Sequence, residues 1–282
     1  MPVEIHKFDL GKLLPGAVAI VLVEDGIGLM DTILHTEKIG FRNIIFVSQT
    51  QPVLVCHENL SINIYWFSIP SHSREANLKA LNNLVSQLSG RWVYYCFNAE
   101  FLFFPFQEHR SIDDLTQFME EERRSHIFAY VIDIYTAKMD EKTLDTDNVF
   151  MDSSGYYAMD RFVDGVSQDR QIEVFGGLKW RYSEHIPWES QRIDRVPFFK
   201  AQNGLTIDDQ LRLSEPEMNT YSCPWHHNVT CAIASLRTAK SLRRNPGSSA
   251  VIDNFMWGQS IPFDWTSKQF MELGMMEPGQ WF

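Results

Sequence analysis

Apolar positions in this chain come in blocks rather than scattered. Ala17–Val23 (AVAIVLV), Asn43–Val47 (NIIFV), Ile62–Phe67 (INIYWF), Trp92–Phe97 (WVYYCF) and His126–Tyr135 (HIFAYVIDIY) are nearly unbroken runs of aliphatic, β-branched and aromatic residues. Such runs suit strands buried on both faces of a parallel sheet. The segments between them change period. Leu29, Met30, Ile33 and Leu34 have helical spacing, and Gly40 suits a left-handed helix stop. In Arg74–Leu88 one face carries Leu78, Leu81, Leu84, Val85 and Leu88, with Gly90 beyond it. Ser111-x-x-Asp114 reads as a capping box opening a helix whose inner face is Ile112, Leu115, Phe118 and Met119. Alternation of strand and helix predicts an α/β fold, with a doubly wound, mainly parallel sheet flanked by helices.

The second half is less regular. From Lys138 to about Arg170 the chain is rich in Asp, Ser and Gly without a clear period, which predicts a long loop of the kind that forms lids. Ile172–Phe175 follows as a short strand ending at Gly176-Gly177, and Trp225–Arg244 is predicted as one helix with Val229, Ile233, Leu236 and Leu242 inward. Beyond Asn245 the chain is rich in Trp, Phe and Met, so it is expected to dock rather than trail. The domain reading is therefore an N-terminal extension (1–16), one principal domain (17–244) and a docked C-terminal tail (245–282).

Composition narrows the class of partner. At 282 residues and 44% hydrophobic the chain can bury a full core, and a net charge of −11 argues against nucleic acid or an anionic membrane as the main partner. A small phosphorylated ligand in a local basic pocket stays compatible. Cys56, Cys96, Cys223 and Cys231 form no C-x-x-C pair, so reduced thiols are expected. No run is apolar enough to span a bilayer, and the first residues lack a basic then apolar leader pattern, which predicts a cytoplasmic protein without a transmembrane segment.

In open α/β sheets ligands bind outside the carboxyl ends of the strands. Polar residues at those ends are thus the first candidates. Glu24-Asp25 would bond a ribose or base there, or Asp25 would simply cap the next helix. Asn98 and Glu100 end the central strand, where Glu100 is either a polar anchor for a ligand or a structural carboxylate. Gly176-Gly177 allows close backbone approach, with Lys179 and Arg181 as charge partners on one face if the segment is extended; the plain alternative is a turn. His226 is a candidate metal ligand or a locally bonded histidine, since His226 and His227 would diverge on a helix. Tyr156, Tyr157, Trp180 and Trp188 would stack on sugar rings or serve as core and rim. A generic dinucleotide enzyme is the poorer reading, because no G-x-G-x-x-G follows the first strand.

These residues together resemble the family 2-like glycosyltransferases of the GT-A fold. The likeness rests on a first strand ending in Glu24-Asp25, a helix ending at Ile39-Gly40-Phe41, the strand Ile44–Val47 and Trp92 through Glu100-Phe101-Leu102. Val174-Phe175-Gly176-Gly177-x-Lys179-x-Arg181, Arg195-Val196-Pro197 and the His226-His227 region extend it over roughly Val18–Arg244. The resemblance implies a nucleotide-sugar donor held by Val23, Glu24, Asp25, Glu100, Gly176, Gly177, Lys179 and Arg181, and a glycan or other hydroxyl acceptor. It implies a divalent cation, Mn or Mg, on an Asp-x-Asp pair. Here Phe97 and Ala99 occupy those two positions, leaving Asn98, Glu100 and His226 as the metal candidates. Inverting transfer needs a carboxylate base. Asp152, Asp160, Asp164 and Glu173 lie in or near the loop before Gly176, and Asp160 and Glu173 are the catalytic candidates. The alternative is a non-catalytic protein of the same fold that keeps nucleotide or glycan binding, with Lys179, Arg181, Arg195 and Lys200 as the positive groups an active enzyme would use on the diphosphate.

Overall fold

A computed structural model describes residues 2–56, 59–137 and 148–281. In chain order the strands are β1 (His6–Lys7), β2 (Val18–Leu22), β3 (Asn43–Ser48), β4 (Asn63–Ser68), β5 (Trp92–Phe97), β6 (Glu100–Phe103), β7 (His126–Thr136), β8 (Val149–Asp152), β9 (Tyr157–Val163), β10 (Val166–Phe175), β11 (Asp194–Lys200), β12 (Cys231–Ser235) and β13 (Ser260–Pro262). The helices are α1 (Leu29–Lys38), α2 (Arg74–Gln87), α3 (Ile112–Glu121), α4 (Gly177–Arg181), α5 (Arg237–Arg244), α6 (Pro246–Ser249) and α7 (Ser267–Glu272). The chain forms two compact units of interleaved segments. One holds the described residues up to Ala99, with His109–Ile127 and Val196–Asn219; the other holds those of Glu100–Glu108, Phe128–Arg195 and from Thr220 on. Each is a mixed α/β unit.

In the first unit the strands lie in the order β1-β4-β3-β2-β5-β11. All neighbours are parallel except β5 and β11, which are antiparallel. Residues 18–22, 43–48 and 92–97 are buried throughout, as their unbroken apolar runs require. Trp92, Tyr94 and Phe41 pack their rings around Phe198. Helix α1 stops at Gly40, whose φ of 105° costs a glycine little. Helix α3 opens with the expected capping box between Ser111 and Asp114. The first residues belong to this unit too: Leu14 exchanges two hydrogen bonds of 2.9 Å with the Asn43 side chain.

The second unit contains β7 and β12 in parallel, with β6 antiparallel to β12. Strand β8 pairs with β7 and β13 with β8, both antiparallel. Strands β9 and β10 form a separate two-stranded sheet. Three expectations are corrected here. The long loop is not a loop where described: residues 149–175 are three strands, and residues 138–147 lie outside the described residues. The β9–β10 hairpin turns at Asp164-Gly165, both at positive φ (50° and 79°), which is the two-residue Asp-Gly signal for such a turn. The short strand expected at Ile172–Phe175 is the end of the longer β10. The helix expected over Trp225–Arg244 is a strand, β12, followed by the shorter α5; Cys-Ala-Ile-Ala is an apolar run too short for periodicity to decide, and parallel pairing beside β7 claims it.

The tail after Asn245 supplies core to this unit. Phe255 joins Tyr135, Leu178, Ala239, Leu242 and Ile252 in one cluster, and Phe263 and Phe270 pack on Phe103. Phe270 is fully buried, so Phe270→Ala is expected to cost about 3–5 kcal/mol in urea denaturation. A loss near zero would mean the tail is outside the cooperative core.

Candidate functional site

Strand order makes a specific place in the first unit. The chain runs β2, β3, β4 to one side of β2, then returns to lay β5 on the other. The order reverses between β2 and β5, and ligands of open α/β sheets bind outside the carboxyl ends at such a reversal. Leu22, at the end of β2, lies opposite Phe97, at the end of β5. The residues that follow are Val23, Glu24 and Asp25 on one strand and Asn98 on the other.

Asn98 is fully buried and every polar atom of its side chain is used. Its Oδ1 accepts the Glu24 N–H at 2.8 Å, while its Nδ2 donates to Asp25 Oδ1 at 2.8 Å and to the Ile27 carbonyl at 2.9 Å. Asp25 Oδ1 also accepts from Ile27 N–H at 2.9 Å, so Asp25 shapes the turn rather than capping α1. The residue that starts α1 is Gly28, at φ 66°, with no side-chain cap. Thr32 of α1 accepts the Ala99 N–H at 2.8 Å, holding Ala99 at φ 61°. Glu24 is exposed beside this braced frame. A helix start without a capping side chain at Gly28, though with Asp31 bonding its own N–H in the first turn, and an exposed carboxylate at the reversal can hold the phosphate and ribose ends of a nucleotide, respectively.

The second unit buries an array of ions. In register across three strands stand Glu100 on β6, Ser235 on β12 and Asp133 on β7. Glu100 pairs through both carboxylate oxygens with Arg195 and accepts the Ser235 hydroxyl at 3.3 Å. Asp133 is 2% exposed; its Oδ2 accepts the Lys179 N–H at 3.4 Å, and its Oδ1 has no hydrogen-bond partner. Burial pushes its carboxyl up to about 6 despite the Lys179 ammonium and the Thr238 hydroxyl. Burial likewise pulls Lys179 down to about 8, against the Asp133 charge. Its Nζ donates to the Arg192 carbonyl at 2.9 Å. Arg181 grips both oxygens of Asp152 at 3.0 and 3.1 Å, donates to the Phe255 carbonyl, and lies 4.8 Å from the Trp257 ring centre. Tyr135 and Trp257 also donate to Asp152, so that carboxylate anchors the tail. The Tyr135 phenol is held well above its usual range by burial and by Asp152.

Gly176 and Gly177 start the helix α4 instead of an extended turn. Two residues apart on a helix diverge, so Lys179 and Arg181 do not share a face. Both glycines are required sterically. A Cβ on Gly176 would stand 2.3 Å from Tyr156 Cδ1, and one on Gly177 would stand 2.9 Å from Asp133 Oδ2. Asp160 is exposed on β9 and Glu173 half-buried on β10. Glu173 pairs with Met159, the neighbour of Asp160, so the two carboxylates lie on opposite faces of the ribbon and are not brought together. His226 sits in a turn, not a helix, with Nδ1 3.0 Å from Cys223 Sγ.

The metal candidates do not fit a divalent ion, because each donor is engaged elsewhere: the Asn98 amide in three bonds, Glu100 on Arg195 and Ser235, His226 on Cys223. Among the described residues no three His, Cys, Asp or Glu side chains converge as a metal site. Asp133 was missed in the sequence, although a lone acid inside HIFAYVIDIY is a readable anomaly. Neither a family model nor a curated protein sequence matches the chain.

The Asp133 carboxyl generates a pH prediction. Its proton is held more tightly in the folded state than in the unfolded chain, whose value is about 4. Its favourable contribution is therefore complete below about pH 4 and is lost as pH rises to about 6. Relative to Asp133→Asn, the wild type should lose about 3 kcal/mol over that interval in urea denaturation at stepped pH. A difference flat across the interval would show that Asp133 is ionised throughout.

Proposed function

We propose that this protein binds a nucleotide-sugar outside the carboxyl ends of β2 and β5 and transfers its sugar to an acceptor hydroxyl, as a glycosyltransferase of the GT-A, family 2-like type. The observation that carries the reading is the reversal of strand order between β2 and β5, with Glu24, Asp25 and the Asn98 brace at the ends of those two strands. On this reading Glu24 bonds the ribose or base and the start of α1 meets phosphate. The acceptor proton passes to a carboxylate. Asp160, exposed on β9, and Glu173 are the candidates, since Asp133 and Asp152 are nearly sealed from solvent.

A second reading has its own support. Lys179, Arg181, Arg195 and Lys200 are the groups that would offset diphosphate charge without a metal, and each is engaged within the protein, Lys200 with Glu120 at 2.9 Å. That favours a protein which binds a nucleotide or glycan and does not transfer sugar.

Calorimetry with a panel of nucleoside diphosphates, each with and without Mn²⁺, tests the common element. Glu24→Gln is expected to weaken binding roughly tenfold or more, because a hydrogen bond to a charged group contributes about 1.5–3 kcal/mol. The melting temperature should not move, since Glu24 is exposed. Turnover of nucleotide-sugars then separates the readings: binding with release of nucleoside diphosphate supports the enzyme, and binding alone supports the non-catalytic protein. No binding of any nucleotide would remove the enzyme reading and leave glycan binding alone of the second.

A further inference from the structure

The β9–β10 hairpin is bonded to its own unit along one edge only. On the β10 side, the Arg170 carbonyl accepts from Tyr221 N–H, the Val174 carbonyl from Ile193 N–H, and Val174 N–H donates to Asp194. On the other side β9 has no strand beside it among the described residues, and none of its backbone groups bonds to anything but β10. This outer edge is seven residues long, Tyr-Ala-Met-Asp-Arg-Phe-Val, without proline, lysine or a bulge of its own, and its charges, Asp160 and Arg161, are adjacent at the middle; the irregularity of the hairpin lies in β10. The ribbon also displays apolar side chains. Tyr157, Met159, Phe162, Val163 and Val166 are between 39% and 63% exposed. A bare edge with apolar flanks calls for another strand.

We propose that β9 is a dimerisation strand, pairing antiparallel with β9 of a second copy across a two-fold axis at Met159. Three registers overlap the strand with a second copy of itself over five residues or more, those centred on Met159, Asp160 and Arg161, and the side chains choose among them. A two-fold pairing sets residues of the same ribbon face opposite one another, so the axis passes through a single residue. Centred on Asp160 it would oppose two aspartates, and centred on Arg161 two arginines, both unfavourable. Centred on Met159 it sets Met159 against Met159, Ala158 against Asp160 and Tyr157 against Arg161 of the second copy. No like charges then meet, and the guanidinium gains an aromatic neighbour. The strand is complementary to itself in this register.

Sedimentation of the full chain over a range of concentrations, with crosslinking, tests this. The wild type is expected at twice the 32.8 kDa chain mass. Met159→Lys sets two ammonium groups on the axis and is expected to run as a monomer with an unchanged melting temperature, because the side chain is exposed in the single chain. Met159→Cys is expected to form an interchain disulfide under mild oxidation, since directly opposed residues bring Cβ atoms to about 5 Å. Phe162→Cys, off the axis, should not crosslink. A wild type that is monomeric at every concentration leaves the edge to a strand of some other protein and overturns the proposal. So does a dimer that survives Met159→Lys while Met159→Cys stays uncrosslinked, which puts the contact elsewhere.

Discussion

A strand buried on both faces has nowhere to leave its last polar groups except inside the protein, and β5 ends under that constraint. The strand ends at Phe97, and Asn98 is the first residue beyond it. The side chain meets the need by accepting from Glu24 and donating to Asp25 and Ile27. Those bonds tie the end of β5 to the loop after β2, so the shape of the crevice at the strand reversal depends on one amide. An aspartate there would set a carboxylate against Asp25, and an alanine would leave buried backbone groups unpaired.

The second unit follows a different economy. Glu100, Asp152 and Arg195 are buried, yet each has an opposite charge in hydrogen-bonding reach, which is the condition for keeping ions away from water. Asp133 is the exception, with one oxygen unpartnered and its proton correspondingly retained to higher pH. Buried pairs add little net stability, but breaking one strands a charge, typically at about 3–5 kcal/mol. Replacing Arg181 or Arg195 would therefore disturb folding before it informed on function. An exposed residue such as Glu24 is the better probe of function for this reason.

The proposed enzyme and the nucleotide-binding form of the second reading use the same strand reversal and part over the diphosphate. Charge development on a leaving group must be met by groups aimed at it beforehand. Lys179, Arg181, Arg195 and Lys200 are engaged with Arg192, Asp152, Glu100 and Glu120. An active enzyme would have to exchange some of those bonds during turnover.

By itself the sequence determined β2 to β5, α1 to α3 and the capping box at Ser111, because unbroken apolar runs and helical spacing are local properties that burial merely ratifies; the short β1 and the proline-containing β11 were not read from it. It also marked Glu24-Asp25 and Asn98 as strand-end residues. The Asp164-Gly165 turn carried a signal that went unread, because the polar composition around it suggested one long loop and hid the two strands it joins. Only the tertiary structure decided the rest. Whether Cys231–Ser235 is strand or helix depended on β7 lying beside it, and whether Lys179 and Arg181 faced one way depended on Gly177 seating against Asp133 to start a helix. The partners of Glu100 and Asn98 lie 95 and 74 residues away in the chain. No local pattern specifies which distant group will use a donor, so the loss of those oxygens to any metal was settled by packing, not by the motif that carries them.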